Sequence, residues 1–358
     1  MPTSKPHTPF PHFDPDAAAG ADSGLYGLPF GPEESHVVVL PVPFEATTSY
    51  RPGTARGPEA ILAASRQVDL YDGELGRIYA PGIALLPTSE DIVRWNAEAR
   101  AAAEPIIAAG GASEDDPEAQ AALAHVNALS AKVNAWVYTQ TDLWLTRGKL
   151  VAVLGGDHSV PLGAIAALAA RTPDLGVLHL DAHADLRVAY EGFTYSHASI
   201  MHNVCVEVPT LRRLVQVGIR DFGEREARFI ADSDGRIRTF FDAELQRRKA
   251  CGETWDTLCR EIVESLPLNV YLSWDIDGLD PTLCPNTGTP VPGGLSYAEA
   301  VHLLRVLVES GRRIVGLDLV EVAPGSNEAD EWDANVGARL LYKMIGFALK
   351  SQNVIGGG

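Results

Sequence analysis

Three times in this chain a short apolar run ends in imidazole or carboxylate side chains, and that recurrence limits the fold more than any other feature. Leu150-Val151-Ala152-Val153-Leu154 leads into Gly155-Gly156-Asp157-His158-Ser159. Gly176-Val177-Leu178-His179-Leu180 leads into Asp181-Ala182-His183-Ala184-Asp185, and Val270-Tyr271-Leu272 leads into Ser273-Trp274-Asp275-Ile276-Asp277. Runs of this length and content suit strands buried on both faces, as in a parallel sheet covered by helices. Open sheets of that kind place their sites at the carboxyl ends of the strands. The pattern therefore predicts an α/β chain whose three motifs meet along one sheet edge.

Extended backbone points residues i, i+2 and i+4 to one side, so Asp181, His183 and Asp185 can converge, as can Asp275 and Asp277. With His158 they make four carboxylates and two imidazoles. That is too many donors for one catalytic ion, which keeps a position open, but it suits two ions sharing carboxylates. Oxygen-rich ligation without thiolate favours Mn²⁺. Taken singly, an Asp-x-Asp or a Gly-Gly-Asp-His is more often an ordinary turn or strand end; three on successive strand ends point to a binuclear hydrolytic centre.

Over about residues 37–344 the chain resembles the ureohydrolase family of arginases and agmatinases. Besides the motifs above, the likeness rests on Ser49-Tyr50-Arg51-Pro52-Gly53-Thr54, Asp275-Ile276-Asp277-Gly278-Leu279-Asp280-Pro281, Thr287-Gly288-Thr289-Pro290-Val291-Pro292-Gly293-Gly294-Leu295 and Gly316-Leu317-Asp318-Leu319-Val320-Glu321-Val322. The resemblance implies a three-layer α/β/α fold with a mainly parallel central sheet. It also implies two Mn²⁺ per subunit, with Ni²⁺ as the alternative, and hydrolysis of a guanidinium group to urea and an amine. Carried over by motif, His158 and Asp185 complete one metal site, His183 and Asp277 the other, and Asp181 and Asp275 bridge them. Glu321 matches the carboxylate that holds the substrate guanidinium, against a bland reading as a charge at a strand end. His197 falls where the family carries a proton-shuttling histidine, with His202 as a nearby competitor and the surrounding loop read as a lid. Asp185 counts with His197 and Glu321 among the catalytic residues.

The expected substrate is a small cationic guanidino compound, agmatine or a relative. Val217-Gly218-Ile219-Arg220-Asp221 runs into Phe222-Gly223, so Gly223 stands where arginases carry a further acid, and this argues against arginine. Arginase, guanidinobutyrase, guanidine hydrolase and formimidoylglutamase activities on the same centre remain alternatives, as does a non-catalytic metal-binding regulator. The family also implies a homotrimer or homohexamer.

The formal charge of −18 and pI near 4.9 argue against nucleic acid or an anionic membrane as partner. No run approaches the roughly 18 apolar residues of a membrane span. Cys205, Cys251, Cys259 and Cys284 show no paired spacing, which reads as reduced thiols in the cytoplasm.

Residues 1–35, rich in Pro, Gly, Asp and Ser, read as an extended N-terminal arm, and 36–350 as a single ureohydrolase-like domain. Within it the spacing predicts a first strand at 37–40, a helix over 58–68, two Ala-rich helices between 89 and 147 broken at 110–117, and a helix over 161–170. Trp136, Leu143 and Trp144 read as core. Strand and helix alternate onward through 214–219, 227–230, 255–266 and 296–309. The Gly-rich 287–295 segment lacks the Lys-Ser/Thr ending of a phosphate loop and reads as a loop shaping the site.

Overall fold

A computed structural model describes residues 13–327 and 330–356. Its strands are β1 (Val37–Val42), β2 (Ile83–Leu85), β3 (Leu150–Gly155), β4 (Leu175–Leu180), β5 (Arg213–Ile219), β6 (Ile237–Phe241), β7 (Asn269–Asp275) and β8 (Arg313–Val320). They form one sheet in the order β2-β1-β3-β8-β7-β4-β5-β6, and every pairing is parallel. Parallel strands need crossovers, and helices supply them. These are α1 (Gly57–Ser65), α2 (Glu90–Ala108), α3 (Pro117–Thr146), α4 (Leu162–Ala169), α5 (Ile200–Glu207), α6 (Glu224–Ala231), α7 (Asp242–Ala250), α8 (Trp255–Glu264), α9 (Tyr297–Glu309) and α10 (Trp332–Ser351).

One apolar cluster packs α1, α8, α9 and α10 on one face of the sheet, and a second packs α2 to α5 on the other. The three-layer α/β/α arrangement that the resemblance implies is present, and β1, β3 and β4, two of them read from their apolar runs as buried strands, are buried along their whole length.

Local signals explain several boundaries. The break between α2 and α3 falls at 109–116, where Asp116 caps α3 by accepting hydrogen bonds from the backbone N–H groups of Glu118 and Ala119. Ser296 and Glu299 form a reciprocal capping box that starts α9. Two expectations shift. Leu143 is 39% exposed rather than core, because Trp144 takes the inward position on α3. The segment after Asp185, read as a lid, is short and structured: a helical turn at His197–Ser199 runs straight into α5.

The stretch read as an arm begins among residues 1–12, which lie outside the described residues. Further along it is tied to the body. Leu25, Tyr26 and Leu28 are buried, the Tyr26 hydroxyl donates to the Ala338 carbonyl at 3.0 Å, and its ring lies 4.7 Å from that of Tyr342. No helix among the described residues is long and apolar enough to cross a membrane.

Candidate metal centre

The adjacency of β3, β8, β7 and β4 brings the three motifs and Glu321 together. His158 follows β3, Glu321 follows β8, Asp275 ends β7 with Asp277 just beyond, and Asp181, His183 and Asp185 follow β4. The backbone there is packed too closely for larger residues. A Cβ on Gly156 would lie 2.1 Å from the Phe44 carbonyl oxygen, and one on Gly278 would lie 2.8 Å from the Asp181 nitrogen. Asp185 (φ 54°) and Glu321 (φ 62°) both occupy the left-handed region, a conformation that costs about 1–3 kcal/mol for residues other than glycine and clusters at functional sites.

The side chains form two groups that share Asp181. In the first, His158 Nδ1 lies 3.0 Å from Asp181 Oδ2, 3.5 Å from Asp185 Oδ2 and 3.4 Å from Asp275 Oδ2. In the second, His183 Nδ1 lies 3.4 Å from Asp181 Oδ1 and 3.1 Å from Asp277 Oδ2. All six expected ligands are therefore together. Asp275 reaches the His158 group, while its Oδ1 accepts the Asp277 backbone N–H at 2.8 Å.

Hydrogen-bond direction shows what the first group accommodates. The Ser273 hydroxyl donates to Asp318 Oδ1 at 3.1 Å, so it accepts from His158 Nε2–H at 3.0 Å. A neutral His158 then turns a bare Nδ1 lone pair toward three carboxylates. Acceptors facing acceptors in a buried space require a cation between them, either a proton or a metal ion. Nitrogen and carboxylate donors with no thiolate suit Mn²⁺, Ni²⁺ or a similar divalent ion. The residues fit the binuclear centre that the motifs imply.

The titration behaviour reflects the same crowding. Burial works against charge on His158 and His183, yet the surrounding Asp181, Asp275 and Asp277 outweigh it and hold both imidazoles well above their usual range. Burial also opposes the charge on Asp181, but hydrogen bonds from His158, His179 and His183 together hold its carboxyl well below the usual range. Asp185 and Asp275 are pushed well above it by burial and by neighbouring carboxylates.

Above these groups lies a cavity of about 180 Å³, lined by Ser49, His183, Asp185, His197, Thr289 and Glu321, with Arg187, Tyr190, Asp221 and Glu226 also facing it. Glu321 Oε1 accepts the His158 backbone N–H at 2.8 Å. Its Oε2 accepts no hydrogen bond from the described residues, and Gly288 packs beside it, where even a Cβ would meet it only at an ordinary van der Waals distance of 3.5 Å. His197 Nδ1 is 3.5 Å from the Thr47 hydroxyl and 3.4 Å from that of Ser196. Burial, then the nearby His183 and His158, push its pKa down to about 4, which leaves it neutral. His202 is not among the residues lining this cavity; its ring lies 5.2 Å from that of Phe229 and its backbone N–H donates to the Asp185 carbonyl.

Reading by motif passed over His179, which is fully buried and donates from Nε2 to Asp181 Oδ2 at 2.9 Å. It stands inside an apolar run and reads as core. The available signal was strand period, since His179 lies two residues before Asp181 and faces the same way.

Comparison with known proteins agrees with this geometry. The family model described as the Arginase family matches residues 35–346. The N(1)-aminopropylagmatine ureohydrolase of Thermus thermophilus is 38% identical over 88% of this chain and 90% of its own. The proclavaminate amidinohydrolase of Streptomyces clavuligerus is 31% identical over 88% and 91%. Among solved structures, the agmatine ureohydrolase of Thermoplasma volcanium superposes with a TM-score of 0.71 at 25% identity, covering 94% of this chain and 97% of that one.

Proposed function

Because the chain belongs to the arginase family and is an agmatinase-type ureohydrolase, we propose that it uses two Mn²⁺ ions to hydrolyse a small cationic guanidino compound to urea and an amine. Agmatine or an N-substituted agmatine is the substrate class. The observation that carries this reading is the placement of Glu321, a carboxylate with one oxygen fixed and the other clear, beside two acceptor groups that share Asp181.

A guanidinium carbon is a poor electrophile because its charge is spread over three nitrogens. When bound, the two cations supply the Lewis acidity that makes water a nucleophile near neutral pH. The protein's own groups do the rest. Glu321 pairs with guanidinium N–H groups and fixes the carbon over the shared acceptor floor, which converts diffusion into positioning. Burial, with Asp157 nearby, raises the Glu321 pKa well above the usual range, so a bound guanidinium restores its charge by pairing with it. Neutral His197 carries a ring lone pair at the cavity wall, where it would accept a proton originating from the attacking water and deliver it to the departing nitrogen. Asp185, on the His158 side, anchors the centre.

Asp221 and Glu226 face the cavity against the single guanidinium of Arg187, and this excess of acid favours a cationic tail. The Thermus and Thermoplasma relatives named above act on such tails. Arg187 also supports a second reading, a guanidino acid, of the kind named for the Streptomyces relative. The Arg187 guanidinium lies over the Tyr190 ring and 3.7 Å from Glu226.

The test is urea release in the presence of Mn²⁺ or Ni²⁺ from agmatine, aminopropylagmatine, arginine, guanidinobutyrate, guanidinopropionate and guanidine. Agmatine or its N-substituted form should lead. Leadership by guanidinobutyrate moves the assignment to the second reading, and silence across the panel overturns both. His197→Ala should lower turnover by about 10²–10⁴-fold with metal content unchanged. The trimer or hexamer implied by the family is tested by light scattering.

A further inference from the structure

One rung of the sheet is polar from β6 to β8. Pair register aligns Thr239 with Gln216, Gln216 with His179, His179 with Ser273, and Ser273 with Asp318. His179, Gln216, Ser273 and Asp318 are fully buried. Five polar side chains across a buried sheet would be costly without partners. Their hydrogen bonds run in defined directions.

On the β4 to β6 side the direction can be read without seeing hydrogens. The Gln216 amide nitrogen donates to the Ala184 carbonyl at 2.7 Å, and its Oε1 accepts from the Thr239 hydroxyl at 2.9 Å, which fixes which end of the amide is nitrogen. That nitrogen lies 3.0 Å from His179 Nδ1 and can only donate, so Nδ1 carries no proton. In the neutral ring the proton is then on Nε2, aimed at Asp181 Oδ2 at 2.9 Å.

We infer that Thr239, Gln216 and His179 form a positioning chain that locks one tautomer of His179 and thereby holds Asp181, the carboxylate shared by both acceptor groups, in its ligating orientation. The inference rests on the binuclear-centre reading. It also assigns His179 a role that its nearness to His158, Asp181 and Asp185 leaves open: both ring nitrogens are already engaged, so it is a holder of a ligand and not a ligand. Carboxylate ligands held this way bind more tightly because their orientation is settled before the ion arrives, and loss of such a partner costs about 10–100-fold in metal affinity.

The experiment compares wild type, His179→Phe, His179→Gln and Gln216→Leu. Mn²⁺ affinity and stoichiometry are measured by calorimetry, folding by melting of the metal-free form, and the His179 ring state by nitrogen NMR on metal-free protein. His179→Phe should lose about 10–100-fold in Mn²⁺ affinity. His179→Gln, whose amide nitrogen reaches the place of Nε2, should recover most of that loss, which a purely steric role would not permit. Gln216→Leu should weaken binding less and shift the His179 signals away from the Nε2-protonated form. Unchanged Mn²⁺ affinity in a folded His179→Phe, or a protonated Nδ1 in wild type, overturns the inference while leaving the function proposal standing. Should a variant fail to fold, the wild-type ring state still decides. Failure of wild type to bind two ions ends both.

Discussion

The two halves of the centre are built from the same chemistry and set in different surroundings. The His158 side chain is 1% exposed and its outward nitrogen is braced by Ser273 and Asp318. The His183 side chain is 24% exposed, and Thr289 approaches its partner Asp277 only at 3.5 Å. Asp181 belongs to both. A ligand set fixed by buried partners binds tightly because little ordering is left to do, whereas an open set retains water and exchanges more readily. The difference lies in the imidazoles: His158 is braced within the fold and His183 is more open, while residues of both halves line the cavity, His158, Asp185 and Asp275 of the first and His183 of the second.

Removing the shared carboxylate erases the distinction. Asp181→Ala should abolish urea release and lower metal content from two ions per chain toward none by elemental analysis; retention of one tightly held ion would show that Asp181 serves a single half. A chelator titration sharpens the contrast next. The ions should leave in two steps, and Ser273→Ala should weaken only the tighter step, by about 10–100-fold. Equal weakening of both steps would break the comparison.

How much of this was legible before the fold was known depended on local signal strength. The three buried strands and their terminal ligands stand out because apolar runs and i, i+2 spacing are local properties. The weaker elements lack that signal. β2 has only three residues, and β6 interrupts Ile237 and Phe240 with the exposed Arg238. The arm hides its anchors, since Leu25, Tyr26 and Leu28 make only a four-residue apolar patch between turn formers, and Tyr26 finds its partners on α1 and α10. The polar rung was hidden for a related reason: Gln216, Ser273 and Asp318 acquire meaning only through cross-strand register, which sequence spacing within one strand cannot supply.

pH separates the loaded and empty forms. In the metal-free protein His158 and His183 are held above their ordinary values, so their stabilising effect is present below an unfolded pKa of about 6.5 and is lost as pH rises through the folded values. The raised carboxyls of Asp185, Asp275 and Glu321 act in the same direction, while the groups that oppose them, Asp181 and the lowered His179 and His197, do so only below about pH 6.5. The metal-free form should therefore melt at lower temperature as pH rises above about 6.5, while the Mn²⁺ form should not, and Mn²⁺ uptake should release protons. Parallel melting curves with and without Mn²⁺ across that range would contradict this. The smallest effect is expected from Thr289→Val, which removes a 3.5 Å contact at the open half and should shift the looser step by less than about twofold, within the few tenths of a kcal/mol usual for weakly engaged groups.

A crystal structure of protein soaked in Mn²⁺, with anomalous scattering to place the metal, tests the central claim most directly. Two peaks are expected, one against His158 and Asp185 and one against His183 and Asp277, with Asp181 reaching both. A single peak, or two that do not share Asp181, would contradict it.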